Sequence, residues 1–203
     1  MRTTLTAHRG FSLAELTIML MTLSVLTTVM SPAIGDYVND ARQIRVVDDV
    51  RMLAVTFSRF AFDAAKATTI DKDWHGYDML VGEGLAPELG QGGDAAWVLD
   101  LDQRGVGRLD DHLISNAAGY NTSADNPQAI WVRGWRGPYL GSGITPDPWG
   151  HRYAINVGAW SRRGAHVVVL SAGPDGQIES PFLRGGSVAG GDDVVALISS
   201  GGL

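Results

Sequence analysis

Four carboxylates in this chain stand where chemistry is possible. Asp175 lies in the turn string Ser171-Ala-Gly-Pro-Asp-Gly-Gln, and Asp192 and Asp193 follow a Gly-Gly pair further on, so three carboxylates flank one glycine-rich loop. A hard divalent ion such as calcium takes about six to eight oxygens from carboxylates and carbonyls, and glycine lets a backbone wrap closely enough to supply them. The same residues also suit an ordinary type I turn with a solvated acidic pair, so the residues alone leave both readings open. The fourth carboxylate, Glu15, is the sole charge in the run FSLAELTIMLMTLSVLTTVMSPA from Phe11 to Ala33. An isolated charge within a bilayer costs roughly 2.5–3.5 kcal/mol on insertion scales, so Glu15 calls for a partner or an interface. The nearest positive group the chain can offer is the α-amine made by cutting after Gly10. The new terminus, Phe11, would stand one helical turn away.

The elements around these groups follow from patterning. The run 11–33 has about the 20 mostly apolar residues that a helix needs to cross a membrane. Before it, MRTTLTAHRG is short, polar and basic through Arg2 and Arg9. A secretory signal places its apolar stretch before the cleavage site, whereas here that stretch follows Gly10 and would stay in the mature chain. Arginines ahead of the span are expected to place the leader in the cytoplasm and the rest of the chain outside.

Together, Gly10, Phe11, Glu15 and Pro32 resemble the class III leader and first helix of type IV pilins and type II secretion pseudopilins. The resemblance implies cleavage after Gly10 by a prepilin peptidase, N-methylation of Phe11, docking of subunits through Glu15, and a helix kink at Pro32. The bland alternative is a signal anchor that tolerates Glu15 near an interface.

Beyond the span, DYVNDARQIRVVDDVRMLAVTFSRFAFDAAKA is free of proline and glycine. Val46, Val50, Leu53, Phe57, Phe60 and Ala64 recur at spacings of three and four, one face of an amphipathic helix. Span and amphipathic stretch are expected to form one helix of about 55 residues at 1.5 Å rise each, bent at Pro32. Arg42, Arg45, Asp48, Asp49 and Arg51 suit either intersubunit ion pairs or a solvated face. Residues 68–137 read as loops and short elements. Within them Trp74, Tyr77, Trp97, Trp131 and Trp135 suit either ligand stacking or, more simply, packing. The segment Asp100 to Asp111 has an EF-hand-like spacing, with Asp102 at the third position and Gly105 at the sixth, but Arg104 occupies a ligand position and works against an ion.

The C-terminal third alternates turn strings with β-branched runs: Trp135-Arg-Gly-Pro-Tyr-Leu and Pro146-Asp-Pro-Trp-Gly-His-Arg-Tyr, then YAINV, HVVVLSAG and DVVALIS, read as three short antiparallel strands. Both turn strings resemble the major pseudopilins of type II secretion. Those proteins bind calcium through an Asp-Gly turn and downstream aspartates. Carried over, Asp175 matches the turn ligand and Asp193 the aspartate before the final strand, with Asp192 and the carbonyl of Ala172 as further candidates. The resemblance covers about residues 10–65 and 135–195, with a longer middle than those proteins have.

Composition agrees with one span and one modest domain: 203 residues, 45% hydrophobic and 19% charged. The formal charge of −6 becomes −8 once Arg2 and Arg9 are removed, which excludes a general nucleic-acid binder. Zero cysteines exclude a disulfide brace and point, within the family, away from adhesive pilins. The five histidines, His8, His75, His112, His151 and His166, show no metalloprotease spacing. With no nucleophile elbow or P-loop, an enzyme is not expected, and no catalytic residue is assigned.

The expectation is thus an α+β pilin fold, a long N-terminal helix on a small C-terminal antiparallel sheet. It is organised as leader 1–10, transmembrane and assembly helix 11–35, amphipathic helix 36–67, variable region 68–137 and sheet with calcium loop 138–203. The expected role is a structural pseudopilin, single-pass in the inner membrane before it enters a periplasmic filament. Its partners would be itself, other pseudopilins, the prepilin peptidase, the inner-membrane assembly platform and, before assembly, membrane lipid. The alternatives are a type IV pilus subunit for adhesion, motility or DNA uptake, and a membrane-anchored calcium- or carbohydrate-binding module.

Overall fold

A computed structural model describes residues 10–64, 76–122, 134–159, 166–182 and 189–198. The chain divides into two compact units, Met1–Gln43 and Ile44–Leu203. One helix, α1 (Leu13–Ala64, 52 residues), runs through the boundary and is assigned without interruption at Pro32. The expected bend there rests on a residue whose side chain lies outside the described set. The leader before Gly10 lies outside it too.

In the first unit the apolar residues of α1 face outward. Leu13 is 81% exposed and Met21 73%. Among the described residues this helix is long and apolar enough to cross a membrane. Its threonine hydroxyls are satisfied within the helix, as hydrocarbon requires: Thr17 Oγ1 donates to the Ala14 carbonyl at 2.8 Å, Thr22 to Met19 at 2.9 Å, Thr27 to Leu23 at 3.0 Å and Thr28 to Ser24 at 2.8 Å.

In the second unit the periodicity of α1 decides which face is covered. All six residues picked from the three-and-four spacing, Val46, Val50, Leu53, Phe57, Phe60 and Ala64, are buried. They pack against one face of a five-stranded sheet ordered β3-β1-β4-β5-β7, comprising β1 (Met79–Val81), β3 (Val106–Arg108), β4 (Ala154–Ile155), β5 (Val167–Ser171) and β7 (Val194–Ile198). Strand β5 shows why its run is continuously apolar. With side chains alternating between faces, Val167 and Val169 join the core under α1, whereas Val168 and Leu170 join a second core with Trp97 and Phe182. A strand covered on both faces loses the polar alternation of a half-exposed one.

The three strands expected at the C-terminus are present and antiparallel. The sheet is larger than expected, because β1 and β3 from the variable region extend it. They pair in parallel with each other, Met79 opposite Val106, while β1 runs antiparallel to β4. A three-residue strand is too short for its period to stand out of the surrounding glycines and aspartates. A second small sheet pairs β2 (Glu88–Leu89) in parallel with β6 (Gln177–Ile178). The short helix α2 (Leu109–Leu113) follows β3 directly.

Among the described residues, the aromatic side chains of the candidate stacking set pack into the two cores. Trp97 is fully buried against Phe182, with ring centroids 4.7 Å apart, and the indole N–H of Trp135 donates to the His112 carbonyl at 2.7 Å. Tyr77 packs on the core under α1. Trp74 and Trp131 lie outside the described residues.

Candidate functional site

The two turn strings fasten the sheet to α1 and to the acidic loop. From the first, Tyr139 donates its hydroxyl to Asp63 on α1 at 3.1 Å and its amide to the Leu113 carbonyl at 2.8 Å. From the second, Tyr153 donates to Asp49 at 2.8 Å. Burial pushes the Tyr153 hydroxyl far above its ordinary range, and the Asp49 carboxylate adds to the effect, so it stays a donor.

Asp147 organises the second string. It is 4% exposed, its Oδ1 accepts from the amides of Trp149 at 3.0 Å and His151 at 2.8 Å, and its Oδ2 accepts from the Ser171 hydroxyl at 2.7 Å. Ser171 Oγ in turn accepts from the Gly173 amide at 3.3 Å, so the turn is joined to the start of the acidic loop. His151 Nδ1 stands 4.0 Å from Asp147, too far for a hydrogen bond, which leaves Asp147 a structural carboxylate. Replacing Asp147 with Ala strands two half-buried amides and a buried hydroxyl. It should lower stability by about 3 kcal/mol, read as a lower urea midpoint with unchanged slope.

The acidic loop lies between β5 and β7, with β6 inside it. Asp175 caps its own turn, its Oδ1 accepting from the Gln177 amide at 2.8 Å. Carboxylate oxygens of Asp175, Glu179 and Asp192 all lie within 4.8 Å of one another, the sole such group of three among the described residues. Two glycines permit this approach. At Gly173 (φ 66°) a side chain would overlap the Asp192 carbonyl, and at Gly191 (φ 51°) it would overlap the Glu179 carboxylate.

Asp193 sits differently from its neighbour. It is 6% exposed, and its Oδ2 accepts from the amides of Glu179 at 2.9 Å and Ser180 at 2.8 Å, while Oδ1 has no hydrogen-bond partner. Glu179 Oε2 is likewise buried and without one. Burial pushes Asp193 up to about 6 against the pull of those hydrogen bonds, and the Glu179 charge adds to the rise. Glu179 and Asp192 are raised by desolvation first and then by their neighbours' negative charge. Carboxylates gathered close together, two of them exposed and Glu179 half-buried, are a donor set that a hard cation neutralises, so these residues fit calcium.

Of the four candidates read from sequence, Asp175 and Asp192 thus converge, Asp193 holds the loop's amides, and Ala172 is fully buried at the end of β5. Glu179 was not singled out. The spacing of the turn motif carries no signal for it, because its approach depends on β6 pairing with β2. The upstream EF-hand-like segment does not gather its carboxylates in this way. Asp100 instead pairs with buried Arg152 at 3.6 Å, and Val106, at the seventh position, begins β3.

At the other end of the chain, Gly10 and Phe11 precede α1 and are exposed. Glu15 has a partner that the composition of the span does not suggest. Ser12 donates its amide to Glu15 Oε2 at 2.9 Å, and the Glu15 amide donates to Ser12 Oγ at 3.2 Å. This reciprocal capping box starts the helix.

No curated protein and no solved structure was found to match the chain. Residues 113–181, about a third of its length, match the family described as type II secretion system (T2SS), protein G, a segment that holds both turn strings, β4, β5, β6 and Asp175. Joined to a long helix on a small, mostly antiparallel sheet, that match supports a pseudopilin-like family.

Proposed function

We propose that the protein is a structural subunit that polymerises into a periplasmic filament serving type II protein secretion. The observation that carries this reading is the match to the secretion family over a segment whose aromatic hydroxyls are hydrogen-bonded to the amphipathic half of α1. In this reading a prepilin peptidase cuts after Gly10, Phe11 is N-methylated, and α1 stays in the inner membrane until the assembly platform passes the subunit to the filament. Calcium, held through Asp175, Asp192, Asp193 and the Ala172 carbonyl, supplies the brace that a chain without cysteine lacks.

Within the membrane, Glu15 would exchange its bond to the Ser12 amide for the α-amine of a neighbouring Phe11. Glu15→Ala removes an expensive charge from the span and one cap contact worth about 1 kcal/mol. Membrane insertion should therefore be retained while filament yield, measured by shearing and immunoblotting in cells that carry a type II assembly platform, falls by about tenfold, equivalent to some 1.4 kcal/mol per incorporated subunit. Normal yield with Glu15→Ala would contradict the docking role. Filaments formed with a type IV pilus platform but not with the secretion platform would transfer the protein to the pilus class, and a chain that stays monomeric with both would be a membrane-anchored binding module.

A further inference from the structure

We infer that Ser12 is a positioning residue for leader removal, holding the Gly10–Phe11 bond outside the helix where a peptidase can reach it; this rests on the cleavage reading above. Hydrolysis breaks the C–N bond between Gly10 and Phe11, the hydroxyl of water going to the Gly10 carbonyl carbon and its proton to the Phe11 nitrogen. In a helix each carbonyl is engaged by the amide four residues on and points along the axis, closed to such an attack. Apolar surroundings make this a real competition. A backbone group without a partner in hydrocarbon is costly, so a helix entering a membrane gains by extending itself.

Two hydrogen bonds oppose that extension. In a helix begun one turn earlier the Glu15 amide would donate to the Phe11 carbonyl. Here it donates to Ser12 Oγ at 3.2 Å. The Ser12 amide would likewise donate to the carbonyl four residues before it, but here it donates to Glu15 Oε2 at 2.9 Å. Both donors that a longer helix requires are thus taken. The Ser12 carbonyl accepts from the Leu16 amide at 3.1 Å, the first helical bond among the described residues.

The scissile bond stands accordingly. Helix α1 starts at Leu13, with Gly10, Phe11 and Ser12 ahead of it. Phe11 is 71% exposed, and a side chain built at Gly10 meets nothing within 4 Å. An N-cap residue has non-helical backbone and a side-chain oxygen that replaces the missing acceptor, and at this helix start the residue that supplies one is Ser12. Glu15 completes the box and so has a part in presenting the bond before any part in assembly.

The test uses the full-length precursor in membrane vesicles with a prepilin peptidase, leader loss being timed by intact mass. Ser12 is replaced by Asn, Thr, Gly, Ala and Leu, and alkali extraction checks that each variant is inserted. Rates should follow N-cap preference: Asn like wild type, Thr and Gly within about twofold, Ala and Leu about fivefold slower. Glycine and alanine separate positioning from contact, since both lack the hydroxyl but only glycine is a good N-cap. Wild-type rates for Ser12→Ala and Ser12→Leu would overturn the inference and leave the cleavage reading standing. Equal slowing of Ser12→Gly and Ser12→Ala would also overturn it, because the peptidase would then be reading the hydroxyl itself. A wild-type precursor left uncut, or cut at another bond, would remove the cleavage reading and the inference with it.

Discussion

Chelation should lower the melting temperature of the mature protein by about 5–10 °C, the consequence of losing an ion worth about 2.7 kcal/mol at a hundredfold excess over Kd. Differential scanning calorimetry with calcium or with chelator measures it. The variants should separate in a way that the geometry dictates. Asp175 is exposed and caps one amide of its own turn, so Asp175→Ala should abolish the response to calcium while barely changing the melting temperature in chelator. Asp193 braces two amides as well, so Asp193→Ala should abolish the response and also lower the melting temperature in chelator, by roughly the 1–3 kcal/mol of stranded buried donors. Asp102→Ala should leave both numbers at wild-type values. An unchanged melting temperature in chelator, or control by Asp102 in place of Asp175, would reduce the acidic loop to a solvated turn.

Replacing Gly10 with a bulky residue should abolish removal of the leader, an all-or-none effect read by intact-mass spectrometry of membrane-extracted protein. The structure makes this a clean measurement. A side chain built at Gly10 meets nothing within 4 Å, and Gly10 precedes the first residue of α1, so the substitution disturbs neither packing nor capping. Retention of the leader then reports on recognition by the peptidase, whose approach to the Gly10–Phe11 bond favours a residue without Cβ. In wild type the same spectra should show the ten residues gone and a methyl group on Phe11. A mature terminus at any other position would sink this assignment.

Sequence alone determined what periodicity and composition can express. Six helix positions at spacings of three and four are all among the residues that α1 buries, which also include Ala54 and Ala61, and three β-branched runs contain β4, β5 and β7, because a helical repeat or an apolar run over enough residues has few other ways to cover its apolar surface. At the N-terminus, a lone carboxylate in an apolar run is conspicuous in one dimension. Its bond to Ser12 is local as well, three residues apart in the form of a capping box.

Tertiary structure decided the rest. Strands β1 and β3 are too short to show a period and form because β4 offers an edge to extend. Asp192 and Asp193 are adjacent in sequence with the same side chain, yet one converges on Asp175 and the other turns to the amides of Glu179 and Ser180. Successive residues point in different directions, and no pattern of residue types states which of the two faces the cluster. Glu179 enters the cluster because β6 pairs with β2, a contact between residues about ninety positions apart. The carboxylates of the loop are thus present in the sequence, while their convergence and the buried, unpartnered oxygens of Glu179 and Asp193 exist only once distant glycines let the backbones close around them.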